Sequence, residues 1–92
     1  MEFKVSKKDT YTLIEFNIDK PITPDVLQDI KPPKVDTTKG VIISGRGPIW
    51  LYGYLIHHYH PALWVATFDP RLGGGVVVMS HTPEVSEGDV IK

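Results

Sequence analysis

The longest uncharged segment of this chain lies between its only two arginines. Residues Gly47–Phe68 contain no Asp, Glu, Lys or Arg, while Arg46 precedes the segment and Asp69-Pro70-Arg71 follows it. An unpaired buried charge costs several kcal/mol, so a hydrophobic core requires segments of this kind. The sequence therefore predicts that Gly47–Phe68 supplies much of the core. It also predicts that the flanking loops carry charged functional groups at the surface.

Composition limits the chain to one small domain. We expect the 92 residues to form a single domain over residues 1–92. A domain of this size buries only about 60–65% of its unfolded surface, so association between copies is expected. No cysteine is present, which excludes disulfides and thiolate metal ligands. The absence of cysteine and of an apolar leader after Met1 favours a cytoplasmic location.

Charge and hydropathy exclude two further classes. The formal net charge is −1, which argues against a protein that coats long DNA or RNA, because such proteins need many basic contacts. It does not argue against a short anionic ligand held by a few well-placed groups. The uncharged segment contains three histidines, Gly53 and Pro61, so we expect no membrane span.

The apolar pattern predicts an α/β fold with a mixed sheet. Strands are predicted over residues 3–6, 11–18, 40–44, 63–68 and 75–80, and another strand begins near Val90. The chain stops there, so we expect it to be truncated at the carboxyl terminus. Thr23-Pro24 predicts the cap and first turn of a short helix that ends near Ile30. Residues 49–59 predict a helix that is apolar on nearly all sides and therefore buried on more than one side.

The order strand–helix–strand between Gly40 and Phe68 predicts a right-handed βαβ unit with parallel strands. Ligands of parallel α/β sheets bind beyond the carboxyl ends of the strands. Two such ends are predicted here, at Ser44-Gly45-Arg46-Gly47 and at Asp69-Pro70-Arg71. Glycines before a helix N-terminus, together with arginines, suit a phosphate or carboxylate ligand. The alternatives stay open: the glycines can form a structural turn, and each arginine can pair with a surface carboxylate.

Asp69 and His60 are further candidates. Asp69 can ligate a metal, act as a base or cap the hairpin turn, and the sequence does not decide among these roles. His60 is expected at the helix end and partly exposed, whereas His81 has no evident partner. A helix of about 12 residues is roughly 18 Å long, so His60 should emerge far from Arg46 and Asp69. If His60 and Asp69 act on one substrate, they should come from different subunits.

Longer motifs resemble a known family. The segment from Gly40 to Leu51 reads GVIISGRGPIWL, and it is accompanied by His60, by FDPRLG at 68–73, by Ser80-His81 and by EGDVI at 87–91. Together these motifs resemble the CRISPR ring nuclease 3 family, whose members are small CRISPR-associated proteins of type III systems. The resemblance covers almost the whole chain.

The resemblance implies a Mn²⁺-dependent nuclease that opens cyclic tetra-adenylate, the second messenger of antiviral type III CRISPR systems. It implies a fold distantly related to the Rossmann-like domains that sense cyclic oligoadenylate. It also implies homodimers, with dimer pairs that sandwich the ligand. The implied catalytic residues are His60, Asp69 and Arg71, with the metal held near Asp69. The implied ligand-binding residues are Ser44, Gly45, Arg46 and Gly47.

Two mechanisms and two other functions remain open at this point. The ribose 2′-hydroxyl can attack in line, with His60 as acid or base and Arg71 beside the phosphorane charge. Alternatively, a metal near Asp69 activates water or neutralises the phosphate. A non-catalytic sensor would bind the ring and leave it intact. A 3′-end deadenylating exoribonuclease would process a short linear oligoadenylate RNA at least as well as the ring.

Overall fold

One mixed sheet of six strands organises the chain. A computed structural model describes residues Met1–Lys92 and places the strands in sequence order across the sheet. The strands are β1 (Glu2–Lys7), β2 (Tyr11–Asn17), β3 (Gly40–Ser44), β4 (Trp64–Asp69), β5 (Gly74–Ser80) and β6 (Val90–Ile91). One α-helix, α1 (Ile49–His58), and one 3-10 helix (Pro24–Gln28) complete the fold. The predicted α/β class is confirmed.

The three central strands are parallel and the outer ones are antiparallel. β3 pairs in parallel with both β2 and β4, whereas β1, β5 and β6 run antiparallel to their neighbours. The segment β3–α1–β4 is therefore the predicted βαβ unit. The parallel pairing of β2 with β3 did not follow from the sequence. The connection between them is long and contains only the 3-10 helix, so no periodic pattern predicts a crossover there.

The main core lies between α1 and one face of the sheet. Leu51 and Leu55 of α1 are fully buried there. They pack with inward-facing side chains of the strands and with the end of the helix: Ile14, Phe16, Val41, Ile43, Tyr59, Ala62 and Val65. Each large apolar side chain buried in this way contributes on the order of 1.5–3 kcal/mol. The uncharged segment thus supplies the helix side of the core, as predicted.

Trp64 covers part of the opposite face of the sheet. It packs in a second buried cluster with Ile42, Ala66 and Val77. Its ring lies directly over Gly40, where an added Cβ would be 2.0 Å from ring atom Cε2. β4 can place the large ring of Trp64 over the start of β3 only because Gly40 has no side chain there.

The segment after β2 differs from the prediction. The predicted short helix is present as a 3-10 helix, and it ends at Gln28 instead of near Ile30. Thr23 occupies the cap position, but its hydroxyl donates to the carboxylate of Asp25 instead of accepting a backbone N–H. The side-chain cap that would start a regular helix is therefore absent, and the turn is held by its packing against α1.

α1 is buried on one side only within a single chain. Leu51 and Leu55 face the core, whereas Ile49 is 90% exposed. Within the single chain the helix is therefore covered on one side, and coverage of its other side by a second copy stays a prediction. The ten-residue helix is also too short to cross a membrane, and no other helix is long and apolar enough to do so.

Gly40→Ala is expected to lower the free energy of unfolding by about 1–3 kcal/mol, because the new methyl group overlaps the Trp64 ring. Gly53→Ala is the matched control, since position 53 lies within α1 and has open space around it. There alanine should raise the free energy of unfolding by about 0.5–1 kcal/mol through helix propensity. Urea denaturation measures both changes. If the two substitutions changed the free energy of unfolding in the same direction, the close packing of Trp64 on Gly40 would be contradicted.

Tyr59 is expected to make the free energy of unfolding depend on pH. Its hydroxyl donates to the Pro33 carbonyl at 2.6 Å, and burial raises the pKa of this phenol well above its usual value. The stabilisation by the protonated phenol is therefore fully present below the unfolded-state pKa of about 10. It is lost as the pH rises from there towards the folded-state pKa. Urea denaturation from about pH 9 to 11.5 should show a steeper loss of stability in the wild type than in Tyr59→Phe. Equal losses in the two proteins would contradict the attribution of this pH dependence to Tyr59.

Candidate functional site

The loops after β3 and β4 meet at one edge of the sheet. Ser44, Gly45 and Arg46 line a shallow pocket of about 350 Å³ together with Phe68 and Pro70. The two loops are neighbours because β3 and β4 run parallel and end side by side. We call this edge, formed by residues 44–47 and 69–71, the arginine edge. The structure thus brings together the two segments that the sequence proposed as ligand-binding.

The two glycines of the first loop are required by close packing on Phe16. Gly45 has a φ of 151°, and a Cβ there would lie 2.7 Å from the Phe16 carbonyl oxygen. A Cβ on Gly47 would lie 2.8 Å from the Phe16 ring. The glycines therefore serve a structural turn, which is one of the two roles left open by the sequence. That turn presents Arg46 at the surface, exposed and without an ion pair.

Tyr52 holds the same loop from within α1. Its hydroxyl donates to the Gly45 carbonyl at 2.5 Å, and its ring contacts Phe16 edge-on with centroids 5.3 Å apart. Burial raises the pKa of the Tyr52 hydroxyl, so the phenol stays a neutral donor. The sequence analysis did not identify this role. Its only signal is that Tyr52 lies in the first turn of the helix directly after the loop.

Asp69 caps the turn between β4 and β5. Its Oδ1 accepts the backbone N–H of Arg71 at 2.8 Å and that of Leu72 at 3.4 Å, which confirms the capping role. The Arg71 Nε is 3.9 Å from the same oxygen, but the Arg71 side chain is 91% exposed. An ion pair this long and exposed contributes little. Both the Arg71 guanidinium and Asp69 Oδ2 are therefore available to a ligand.

A single chain does not assemble a full metal site. No group of three or more His, Asp or Glu side chains is close enough to hold an ion. Among residues 44–47 and 69–71 the one carboxylate is that of Asp69, and its Oδ1 is engaged in the turn, while Glu15 of β2 pairs with Ser44 beside this edge. One chain therefore supplies too few ligands to hold Mn²⁺ by itself. Further ligands would have to come from substrate or from another copy.

His60 lies at the other end of β4. It precedes Trp64, the first residue of the strand, whereas Asp69 is the last. Six residues of extended strand separate these ends by roughly 17–20 Å. The predicted separation of His60 from Asp69 is confirmed for the single chain. The structure therefore groups Asp69 with both arginines and leaves His60 apart.

His81 joins His60 at this opposite edge. The two rings are edge-to-face with centroids 4.9 Å apart, and His81 Nε2 lies 3.0 Å from the His60 carbonyl oxygen. No partner for His81 was evident from the sequence, because the partner comes from a segment 21 residues earlier. We call the end of the sheet that carries these two residues the histidine edge. His57 is exposed nearby in sequence, and His58 packs edge-on against the Tyr59 ring at 4.8 Å.

Comparison with known proteins places this chain among the CRISPR-associated proteins. The model of the family described as CRISPR-associated protein (Cas_csx3) matches residues 15–92, which include both edges. An uncharacterized protein of Aquifex aeolicus (strain VF5) is 52% identical over 88 residues, a match that covers 91% of this chain and 79% of that protein. The chain belongs to the Cas_csx3 family.

Tyr52→Phe is expected to lower the free energy of unfolding by about 1 kcal/mol, because the half-buried Gly45 carbonyl loses its donor. Tyr54→Phe is the matched control on the same helix, since the hydrogen-bonded tyrosine hydroxyls are those of Tyr52 and Tyr59. The control should change stability by less than about 0.5 kcal/mol. Urea denaturation of the two variants measures both effects. Equal effects would mean that Tyr52 does not hold the loop through its hydroxyl.

Proposed function

We propose that this chain is a ring nuclease that cleaves cyclic tetra-adenylate and thereby switches off type III CRISPR antiviral signalling. Membership of the Cas_csx3 family supports the CRISPR context. The observation that carries the proposal is the arginine edge: Arg46 lines its pocket, Arg71 directly follows Pro70 of the same lining, and both arginines are exposed without a close ion pair. A distant relationship to Rossmann-like domains that sense cyclic oligoadenylate is part of the same proposal.

The arginine edge supplies the phosphate-binding half of the proposed site. Arg46 and Arg71 each offer a planar guanidinium that can donate two hydrogen bonds to one phosphate. Ser44, half-buried at the end of β3, adds a hydroxyl to the same pocket. A cyclic tetra-adenylate carries four phosphates around its ring, so more than one arginine can be engaged at once. The overall net charge of −1 suits a small anionic ligand better than a long nucleic acid.

His60 must reach the ligand from another copy of the chain. Within one chain the length of β4 lies between His60 and Asp69. A ligand bound at the arginine edge of one copy can contact the histidine edge of a second copy if the two edges face each other across it. The proposed working form is therefore a pair of homodimers that sandwich the ring between them. The exposed apolar side chains of α1 and β5, such as Ile49 and Val78, are available for contacts between copies.

The proposed chemistry is transfer of a phosphodiester to the neighbouring ribose hydroxyl. The 2′-oxygen attacks phosphorus, the bond to the 5′-oxygen breaks, and the products are a 2′,3′-cyclic phosphate and a 5′-hydroxyl. His60 takes the 2′-proton as base while water protonates the leaving 5′-oxygen, or His60 protonates the leaving 5′-oxygen as acid while water takes the 2′-proton. Arg71 and Arg46 stabilise the charge that develops on the phosphorane oxygens.

Mn²⁺ fits this proposal as a shared ion. Asp69 would hold it through Oδ2, and a carboxylate with phosphate oxygens and imidazole makes a donor set that this ion accepts. When bound, the metal would neutralise part of the phosphate charge and lower the pKa of a water bound to it. Attack by that water in place of the ribose hydroxyl stays the alternative mechanism. It differs in product, because it yields a linear phosphate with no 2′,3′-cyclic intermediate.

Turnover of cyclic tetra-adenylate with Mn²⁺ and with chelator tests the proposal. Asp69→Ala and His60→Ala should each lower kcat by at least about 100-fold. An equal mixture of the two inactive variants should recover activity at those sites that combine the intact His60 of one chain with the intact Asp69 of another. His57→Ala is the control at the histidine edge and should retain activity.

Three results would contradict the proposal in distinguishable ways. Ligand binding without turnover by the wild type would make the protein a sensor. Faster processing of linear than of cyclic tetra-adenylate would favour the 3′-end exoribonuclease. Wild-type turnover with no recovery in the mixture would place His60 and Asp69 in the same chain during catalysis.

A further inference from the structure

His81 is fixed in place more firmly than an exposed histidine at the end of a strand needs to be. Its backbone N–H donates to the Leu63 carbonyl at 2.9 Å, immediately before β4. Leu63 in turn donates its N–H to the Lys39 carbonyl at 3.0 Å, which continues the sheet ladder to the start of β3. On the other side, Ser80 Oγ and Thr82 exchange two hydrogen bonds that close the turn around His81. The backbone of His81 is thus held on both sides.

From this fixed position the His81 ring contacts the segment that carries His60. Nε2 lies 3.0 Å from the His60 carbonyl oxygen, and a carbonyl can only accept, so Nε2 carries the proton and donates it. The two imidazoles meet edge-to-face at 4.9 Å. One side chain therefore restrains both the backbone and the ring of His60.

The turn that carries His60 is closed by the Ala62 N–H, which donates to the Tyr59 carbonyl at 2.9 Å, but the His60 side chain has no such restraint other than His81. His60 lies beyond the end of α1, in the short turn that leads into β4. Its own N–H donates to the His57 carbonyl at 3.2 Å, and its side chain is exposed. A general acid or base must be held within hydrogen-bonding reach of the proton it transfers, and a displacement of about 1 Å can cost two orders of magnitude in rate.

We propose that His81 is a positioning residue for His60. It holds the His60 turn through the Nε2–H donor and limits the rotation of the His60 ring through the edge-to-face contact. Both ring nitrogens of His60 remain available for substrate, because the hydrogen bond uses the His60 backbone carbonyl. This inference rests on the proposed function only in assigning His60 to catalysis. The restraint itself is a property of the single chain.

Two substitutions at position 81 separate positioning from mere packing. His81→Gln places an amide N–H near the position of Nε2, so it can keep the hydrogen bond to the His60 carbonyl. His81→Asn is the matched control, because its shorter amide reaches only the position of Nδ1. Both residues are polar, and neither reproduces the imidazole ring.

The first readout is independent of activity. Histidine side-chain NMR on the wild type, with His60→Ala used to assign the His60 signals, reports the order and environment of the ring. His81→Asn should move the His60 signals towards those of a free histidine, while His81→Gln should move them less. Melting temperatures of the two variants should agree within a few degrees. Unchanged His60 signals in His81→Asn would overturn the proposal, whether or not the wild type cleaves the ring.

The second readout is turnover of cyclic tetra-adenylate. Because the ligand phosphates bind at the arginine edge, His81→Asn should lower kcat about tenfold or more and leave KM within about twofold. His81→Gln should recover at least about a third of the wild-type kcat. Equal kcat values for the two variants, or a loss seen in KM alone, would overturn the positioning role. A wild type that restrains His60 but does not cleave the ring would refute the proposed function and leave the restraint established.

Discussion

The parallel pairing of β3 with β4 is the constraint on which the rest of the structure depends. It places the carboxyl ends of both strands side by side, so the loop with Arg46 and the turn with Asp69 share one pocket. The same pairing sends His60, only nine positions before Asp69, to the opposite end of β4. The crossover is possible because the segment between the strands carries no charge and can bury Leu51 and Leu55 of α1 against the sheet.

Local patterns predicted most of the fold. The apolar run at residues 40–44 coincides with β3, and the order strand–helix–strand yields the βαβ unit with its parallel strands. Both signals are local, since they depend on the burial of consecutive side chains. The separation of His60 from Asp69 followed from helix length alone. By contrast, the type of the short helix after β2 did not follow from the sequence: it is a 3-10 helix, and Thr23 binds the Asp25 carboxylate and supplies no backbone cap.

Contacts between distant segments were the features that the sequence did not predict. Gly45 and Gly47 have the spacing of a phosphate loop, yet they are required by a ring that lies about 30 positions earlier, that of Phe16. The link from Tyr52 to the Gly45 carbonyl and the contact of His81 with His60 are of the same kind. The periodicity of the sequence does not predict these contacts, because each contact depends on which distant segments become neighbours in the fold. The positions of the candidate residues at the two edges could be predicted, but the contacts that hold those edges in place could not.

The central claim is that the arginine edge of one chain faces the histidine edge of another across the ligand. The chain has no cysteine, so single cysteines can be introduced at His57 on the histidine edge and at Leu72 beside the arginine edge, both exposed. The most direct measurement mixes the His57→Cys and Leu72→Cys variants with a short bismaleimide, with and without cyclic tetra-adenylate. The predicted result is a mixed covalent dimer that forms in the presence of the ligand. Dimers of each variant with itself, and no mixed product, would contradict the claim.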